Sequence, residues 1–271
     1  MVKGYNGKVL FLNLTSGSAK EENLPEKVYR DYIGGQGLGA RILYERMKPE
    51  VDPLGPDNIL GFVVGPLTGT GIHGSRYQVV GKSPVTGGWG DANSGGYLAQ
   101  EIKAAGYDGI FITGISPKPV YLFIKDGKTE IKNASHLWGK DTIETDKMLR
   151  DELADKDVRI ACIGPAGENK ALLACVRHEG CAAGRSGLGA VMGSKHLKAL
   201  VVRGSQKVSM AYPKRFETLR REYLNDVKNT SHTVAITFRD YGTCGFTTSS
   251  VVIGDAPIKN WSLYGEGGLT T

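Results

Sequence analysis

The chain has 271 residues, a formal net charge of +6 and a pI near 9.0, with 40% apolar and 23% charged residues. This is an ordinary globular composition, and it excludes collagen-like, linker and low-complexity architectures. The basic excess is spread among acidic residues, and no lysine run, zinc-finger spacing or RNP-like motif supports a nucleic-acid partner.

In chain order, "GKVLFLNLTSG" near the start alternates apolar and polar residues and ends in a Ser-Gly turn, which predicts a strand opening a hairpin. "GLGARILYERMK" (37–48) has helical spacing and is stopped by Pro49. "NILGFVVGP" (58–66) and "RYQVVGK" (76–82) read as strands flanking the loop "GPLTGTGIHGS". A second loop, "SPVTGGWGDANSGG" (83–96), leads into the helix "YLAQEIKAAG". "YDGIFITGI" and "KPVYLFIKDGKTEIKNA" follow, and Asp126-Gly127 between alternating runs predicts a hairpin. "TIETDKMLRDELA" (142–154) is an amphipathic helix with Asp141 or Thr142 near its cap. "VRIACIGPAGEN" and "ALLACVRH" alternate strand and loop, and "KALVVRG" (198–204) is the last clear strand.

The pattern changes between 208 and 212. "PKRFETLRREYLNDVKNT" is a charged amphipathic helix, and its character persists to about residue 240. Domains are therefore predicted at 1–210 and 211–271, the second being the beginning of an incomplete helical domain. The terminal "YGEGGLTT" is polar and glycine-rich and is predicted to be poorly ordered.

The N-terminal stretch has no apolar run long enough for a signal peptide or a membrane span, which predicts a cytoplasmic chain with no membrane partner. Cys162, Cys175, Cys181 and Cys244 are then expected to be reduced. Their gaps of 13, 6 and 63 residues match neither C-x-x-C nor an iron–sulfur pattern.

Glycine is the outlier, at 38 residues of 271 against about 7% in typical domains. Four glycines (184, 187, 189 and 193) crowd the segment "AAGRSGLGAVMGSKHLKAL" (182–200). Bare backbone at a helix start, with Arg76, Arg185 and Lys195 as candidate cations, suits a phosphate. The alternative is tight structural turns. The segment is neither a P-loop, because Ser194 separates Gly193 from Lys195, nor a dinucleotide fingerprint, because Met192 stands where Gly or Ala belongs.

The remaining candidates favour structural roles. His73 is a loop histidine with no acidic or thiol residue nearby in sequence, and His178 with Cys181 supplies only half a metal site. Asp91 and Glu168 read as caps or solvated charges, and Trp89 and Trp138 as packing residues. No nucleophilic triad stands out, and no catalytic residue is assigned. A loose internal echo is present: Gly65-Pro66, Arg76 and the run 87–96 find counterparts in Gly164-Pro165, Arg185 and the run 184–189.

Taken together, "GPLTGTGIHGSRYQVVGKSPVTGGWGDANSGGYLAQEIKAAGYDGI", "NASHLWGKDTIET", "IGPAGEN" and "AAGRSGLGAVMGSKHLKAL" resemble the N-terminal domain of the tungsten-containing aldehyde ferredoxin oxidoreductases, over about residues 4–210. The resemblance implies an α+β base of two six-stranded sheets related by a pseudo-twofold, followed by a helical domain. It implies a tungsten (or molybdenum) bis-pterin cofactor whose phosphates are bridged by Mg²⁺. By position, Arg76, Asn93 and Gly95 should contact pterin or phosphate, with Ala182, Ala183, Gly184 and Arg185 completing the cradle. The Asn93 carbonyl should reach Mg²⁺, and a second carbonyl should come from Ala183, with Ala182 the alternative. The full enzyme would oxidise an aldehyde to a carboxylic acid and pass electrons to ferredoxin. Its [4Fe–4S] cysteines would lie beyond this chain, so the remaining domains or a partner subunit are expected, and a homodimer is possible. The competing expectation is a non-catalytic binding or assembly subunit that keeps the fold and lacks the redox centre.

Overall fold

A computed structural model describes residues 3–229 and 233–265. Two compact units are present, 1–211 and 212–271.

The first half of the first unit contains β1 (Lys8–Asn13), β2 (Ser18–Asn23), α1 (Glu26–Tyr32), α2 (Gly35–Arg46), β3 (Leu60–Val64), β4 (Tyr77–Lys82), β5 (Trp89–Ser94), α3 (Leu98–Ala104) and β6 (Gly109–Thr113). The second half contains β7 (Val120–Lys125), β8 (Lys128–Asn133), α4 (Thr142–Leu153), β9 (Arg159–Cys162), α5 (Pro165–Glu168), β10 (Val176–His178), β11 (Cys181–Ala183), α6 (Leu188–Ser194) and β12 (Leu197–Arg203). Each half folds into one six-stranded mixed sheet, in the orders β2-β1-β6-β3-β4-β5 and β8-β7-β12-β9-β10-β11. In both, a hairpin pairs in parallel with the half's last strand, and every other pairing is antiparallel. The expected pair of sheets with a repeated topology is therefore present.

The repeat can be followed residue by residue. Aligning Gly65-Pro66 with Gly164-Pro165 and counting across the ladders places Gly61 on Ile160, Gln78 on Arg177 and Asn93 on Ala182. Arg76 falls on Cys175, so the two basic residues of the sequence echo are not equivalent, whereas Gly95 and Gly184 are.

Apolar alternation decides the layering. Leu10, Leu12, Phe62, Val79 and Ile110 of the first sheet face Leu122, Ile124, Ala161, Leu200 and Val202 of the second, with α3 and α6 in the same core. The opposite face of the first sheet is covered by α2 through Leu38, Ile42 and Leu43, and that of the second by α4 through Leu149. At about 25 cal/mol per Å² of apolar surface removed from water, such two-sided burial is what holds the sheets as one body. Local chemistry ends the elements as expected. Asp141 caps α4 in a capping box with Glu144, and Asp126 and Gly127 make the β7–β8 turn with φ of 46° and 84°.

Some expectations are corrected. The glycine-rich segment 83–96 contains a strand, β5, because its alternate residues Gly90, Ala92 and Ser94 are buried on pairing with β4. "ALLACVRH" is strand only from Val176, since residues 172–173 form a turn with Leu173 exposed. Helix α1 carries no strong periodicity in sequence. Trp89 lies 41% exposed and is not a core packing residue, whereas the Trp138 ring stands edge-on to His196 at 6.0 Å.

The second unit consists of α7 (Pro213–Asn229), α8 (Thr233–Tyr241), a short 3₁₀ turn and α9 (Thr247–Val252). In the predicted poorly ordered terminus, 266–271 lie outside the described residues.

Candidate cofactor site

The edge strands β5 and β11, one from each sheet, border a cleft of about 560 Å³ lined by Arg76, Gln78, Asp91, Ala92, Asn93, Ala182, Gly184 and Arg185. Strand alternation puts Arg76, Gln78, Asp91 and Asn93 on one face of β4 and β5. There they form a network. The Arg76 guanidinium donates to Asn93 Oδ1, Asn93 Nδ2 donates to Gln78 Oε1 at 3.0 Å, and Gln78 Nε2 donates to Asp91 Oδ2 at 2.7 Å. The Asn93 side-chain amide is thus held at both ends by its neighbours.

Which main-chain groups face outward follows from the ladders. Asp91 both donates its N–H to Ser186 Oγ at 3.2 Å and accepts from that hydroxyl on its carbonyl at 3.0 Å, so both of its backbone groups point away from β4. Asn93, two residues on, points the same way. In the second sheet, the two-residue turn Glu179–Gly180 makes His178 and Cys181 the hydrogen-bonded closing pair. The next residue, Ala182, therefore turns its carbonyl out of the sheet edge, and Ala183 turns back toward Val176. Of the expected alanine pair it is Ala182, not Ala183, that presents an oxygen to the cleft. Ala182 is also the residue equivalent to Asn93 in the repeat.

The glycines divide into two classes. A Cβ on Gly184 would meet nothing within 4 Å, so this residue leaves the cleft floor open. A Cβ on Gly95 would come within 3.3 Å of Arg76 Nη1 and 3.5 Å of Cys181 Sγ. Gly189 and Gly193 instead face backbone: a Cβ on the first would stand 2.7 Å from the Ala174 and Cys175 carbonyl oxygens, and one on the second 1.8 Å from the Gly167 carbonyl oxygen. The run thus divides into an open position at Gly184 and tight backbone packing at Gly189 and Gly193.

Lys195 does not join Arg76 and Arg185. It is fully buried, 3.4 Å from the carbonyls of Pro56 and Gly114, and burial pushes its ammonium down to about 8. Glu168 is no solvated charge: it accepts from Lys198 Nζ at 2.5 Å and from the Gly139 N–H at 2.8 Å. His178 is buried and structural, with burial lowering its pKa. His73 is exposed and does not line the cleft. Sequence reasoning missed Gln78 and Ser186, whose roles depend on strand register and on a contact 95 residues away.

All four cysteines are free. Among the described residues, no three His, Cys, Asp or Glu side chains gather to hold a metal, and no helix is long and apolar enough to cross a membrane.

The site's context comes from known proteins. The family described as "Aldehyde ferredoxin oxidoreductase, N-terminal domain" matches residues 9–204. The tungsten-containing aldehyde ferredoxin oxidoreductase of Pyrococcus abyssi is 50% identical over 227 residues, covering 83% of this chain and 37% of that protein. The aliphatic sulfonate oxidoreductase WOR-like subunit of Pyrococcus furiosus is 38% identical over 275 residues, covering 95% of this chain and 43% of that protein. Among solved structures, the active-site complex BamBC of benzoyl coenzyme A reductase, in complex with 1,5-dienoyl-CoA, superposes with a TM-score of 0.82 at 41% identity. The superposition covers 84% of this chain and 35% of that one. The chain thus spans well under half the length of these relatives.

Proposed function

The chain belongs to the aldehyde ferredoxin oxidoreductase family, and from that premise we propose that its first unit (about 1–210) cradles a tungsten bis-pterin cofactor for an oxidoreductase acting on aldehydes. Residues 211–271 then begin a helical domain. The observation that carries this reading is the pairing of outward carbonyls, Asn93 on one sheet edge and Ala182 on the other, at the mouth of one cleft.

The residues fit the group. Two carbonyl oxygens related by the internal repeat suit an oxygen-loving divalent cation such as Mg²⁺, which prefers few protein ligands and shares the rest with phosphates. Arg76 and Arg185 line the same cleft and would supply charge-assisted hydrogen bonds to phosphate oxygens. The open space over Gly184 admits a ligand to the main chain. Gly95 keeps the Arg76 guanidinium clear of a methyl group.

When bound, tungsten on two pterins supplies the two-electron chemistry by which an aldehyde and water give a carboxylate, three protons and two electrons. This chain's share is position and electrostatics. Arg76 binds and orients phosphate while the Gln78–Asp91 pair holds Asn93 in place. Ferredoxin as electron acceptor, the remaining domains or a partner subunit, and a cytoplasmic location belong to the same reading, as does a [4Fe–4S] centre built outside these residues.

The test is elemental analysis for tungsten, molybdenum, iron and magnesium on this chain and on the complete protein, both prepared anaerobically. About two pterins per tungsten on the complete protein, lost in Arg76→Ala, supports the proposal. Metal-free protein that still pairs with a partner chain would favour the assembly subunit instead.

A further inference from the structure

Asn93 and Ala182 lie on edge strands of different sheets, so no ladder sets the distance between their carbonyls. Two side chains of the second half reach across to the backbone on either side of Asn93. Ser186 Oγ, on one side of Ala182 in sequence, takes both backbone groups of Asp91, just before Asn93. His178, on the other side of Ala182, accepts the N–H groups of Tyr97 and Leu98, just after Asn93, on its Nε2 at 3.0 Å each. Its Nδ1 donates to the Ile160 carbonyl at 2.8 Å. These partners fix the tautomer, with the proton on Nδ1 and the lone pair on Nε2.

The imidazole replaces a missing cap. Helix α3 has no side-chain N-cap of its own, since Tyr97 occupies that position, and two of its orphan donors are satisfied from the neighbouring sheet. The preceding Gly96, with φ of 81°, packs against the ring: a Cβ there would stand 2.4 Å from His178 Cδ2. The ring is 1% exposed, so it has no freedom to yield.

We infer that His178 and Ser186 are positioning residues that hold the β5 edge and the Gly95–Gly96 lip against β11, and so set the gap that a cation bridging the Asn93 and Ala182 carbonyls must fit. The inference rests on the cofactor reading above. A hard divalent cation tolerates only a few tenths of an ångström in its ligand distances, so such struts act on affinity without touching the ion.

The experiment uses the complete protein, prepared anaerobically, with the variants His178→Leu, His178→Gln, Ser186→Ala and Leu149→Ala. Tungsten and magnesium retained after dialysis against EDTA are measured beside Tm, and amide exchange is followed over residues 91–98. His178→Leu and Ser186→Ala should weaken magnesium retention on the order of 10–100-fold, the range for outer-shell partners of metal sites. His178→Gln, which returns an acceptor, should recover most of it. Leu149→Ala, a cavity variant under α4, should lower Tm and keep the metal.

If leucine serves at 178 as well as glutamine, the ring is only filler and the inference falls. It also falls if Leu149→Ala releases as much metal for the same loss of Tm. Wild-type protein without tungsten or magnesium would overturn the cofactor reading, and with it the cation. The struts are then decided by amide exchange, which must quicken at Tyr97 and Leu98 in His178→Leu and at Asp91 in Ser186→Ala.

Discussion

The α-carbon of Gly193 faces the carbonyl of Gly167 so closely that a Cβ would lie 1.8 Å from its oxygen and 2.6 Å from its carbon. Helices α5 and α6 meet there backbone to backbone, and neither atom belongs to a side chain that can move aside. Gly193→Ala is expected to cost at least about 3 kcal/mol, the upper range for overpacked cores. Urea unfolding checks this, and a loss under 1 kcal/mol would mean that the helices separate freely.

Gly184, nine residues earlier, behaves in the opposite way. Its position is open and its φ is not in the left-handed region, so Gly184→Leu should change stability by no more than about 0.5 kcal/mol. The leucine would fill the cleft, and tungsten and pterin content should fall to background in the complete protein. A variant that keeps its cofactor would place the ligand elsewhere.

Lys195 makes stability depend on alkaline pH. Unfolded, its amine holds a proton up to its ordinary value of 10.5, and folded it releases it near 8. Between these values the unfolded chain binds the additional proton, so folding stability rises with pH. The rise is on the order of 3 kcal/mol across the window, at 1.36 kcal/mol per pKa unit. Above about pH 10 buried phenols oppose it, because burial pushes Tyr77 up to about 12 and the unfolded chain loses those protons first. Denaturant melts of wild type and Lys195→Met between pH 7 and 10 isolate the effect. The variant should lose this rise, keep only the opposing fall that begins near pH 9 where burial pushes the Cys162 thiol up to about 12, and be the more stable of the two at pH 7.

Lys103 and Asp108 form an ion pair at 2.6 Å with side chains 0% and 1% exposed. Asp108 also accepts the N–H groups of Asn6, at 3.1 Å, and Gly7, at 2.7 Å. Lys103→Met should cost about 3 kcal/mol by leaving a buried carboxylate without its cation. Asp108→Leu should cost more, since it orphans the ammonium and two backbone donors, each worth roughly 1–3 kcal/mol when buried unsatisfied. A denaturation series that ranks the two variants in the other order would show that the cation, not the carboxylate, organises this corner.

Much of this protein was legible in its order of residues. Apolar alternation marked β1 and β7, short apolar turn-bounded runs marked β3, β4, β6 and β12, Asp126-Gly127 marked a hairpin, and Asp141 or Thr142 marked a helix start, because each signal acts over a few residues and needs no distant partner. The long motifs named the family and pointed to Arg76, Asn93, Gly184 and Arg185. What sequence could not decide depends on register and on contacts between the halves. β5 is a strand because β4 lies beside it, and a one-residue slip would exchange the outward carbonyl of Ala182 for that of Ala183. Lys195 reads as a surface cation until the fold buries it. His178 reads as half a metal site until its two nitrogens find Ile160 on one side and the start of α3 on the other. Local chemistry wrote the elements; the distance between two sheet edges, fixed by side chains far apart in the chain, made the cleft.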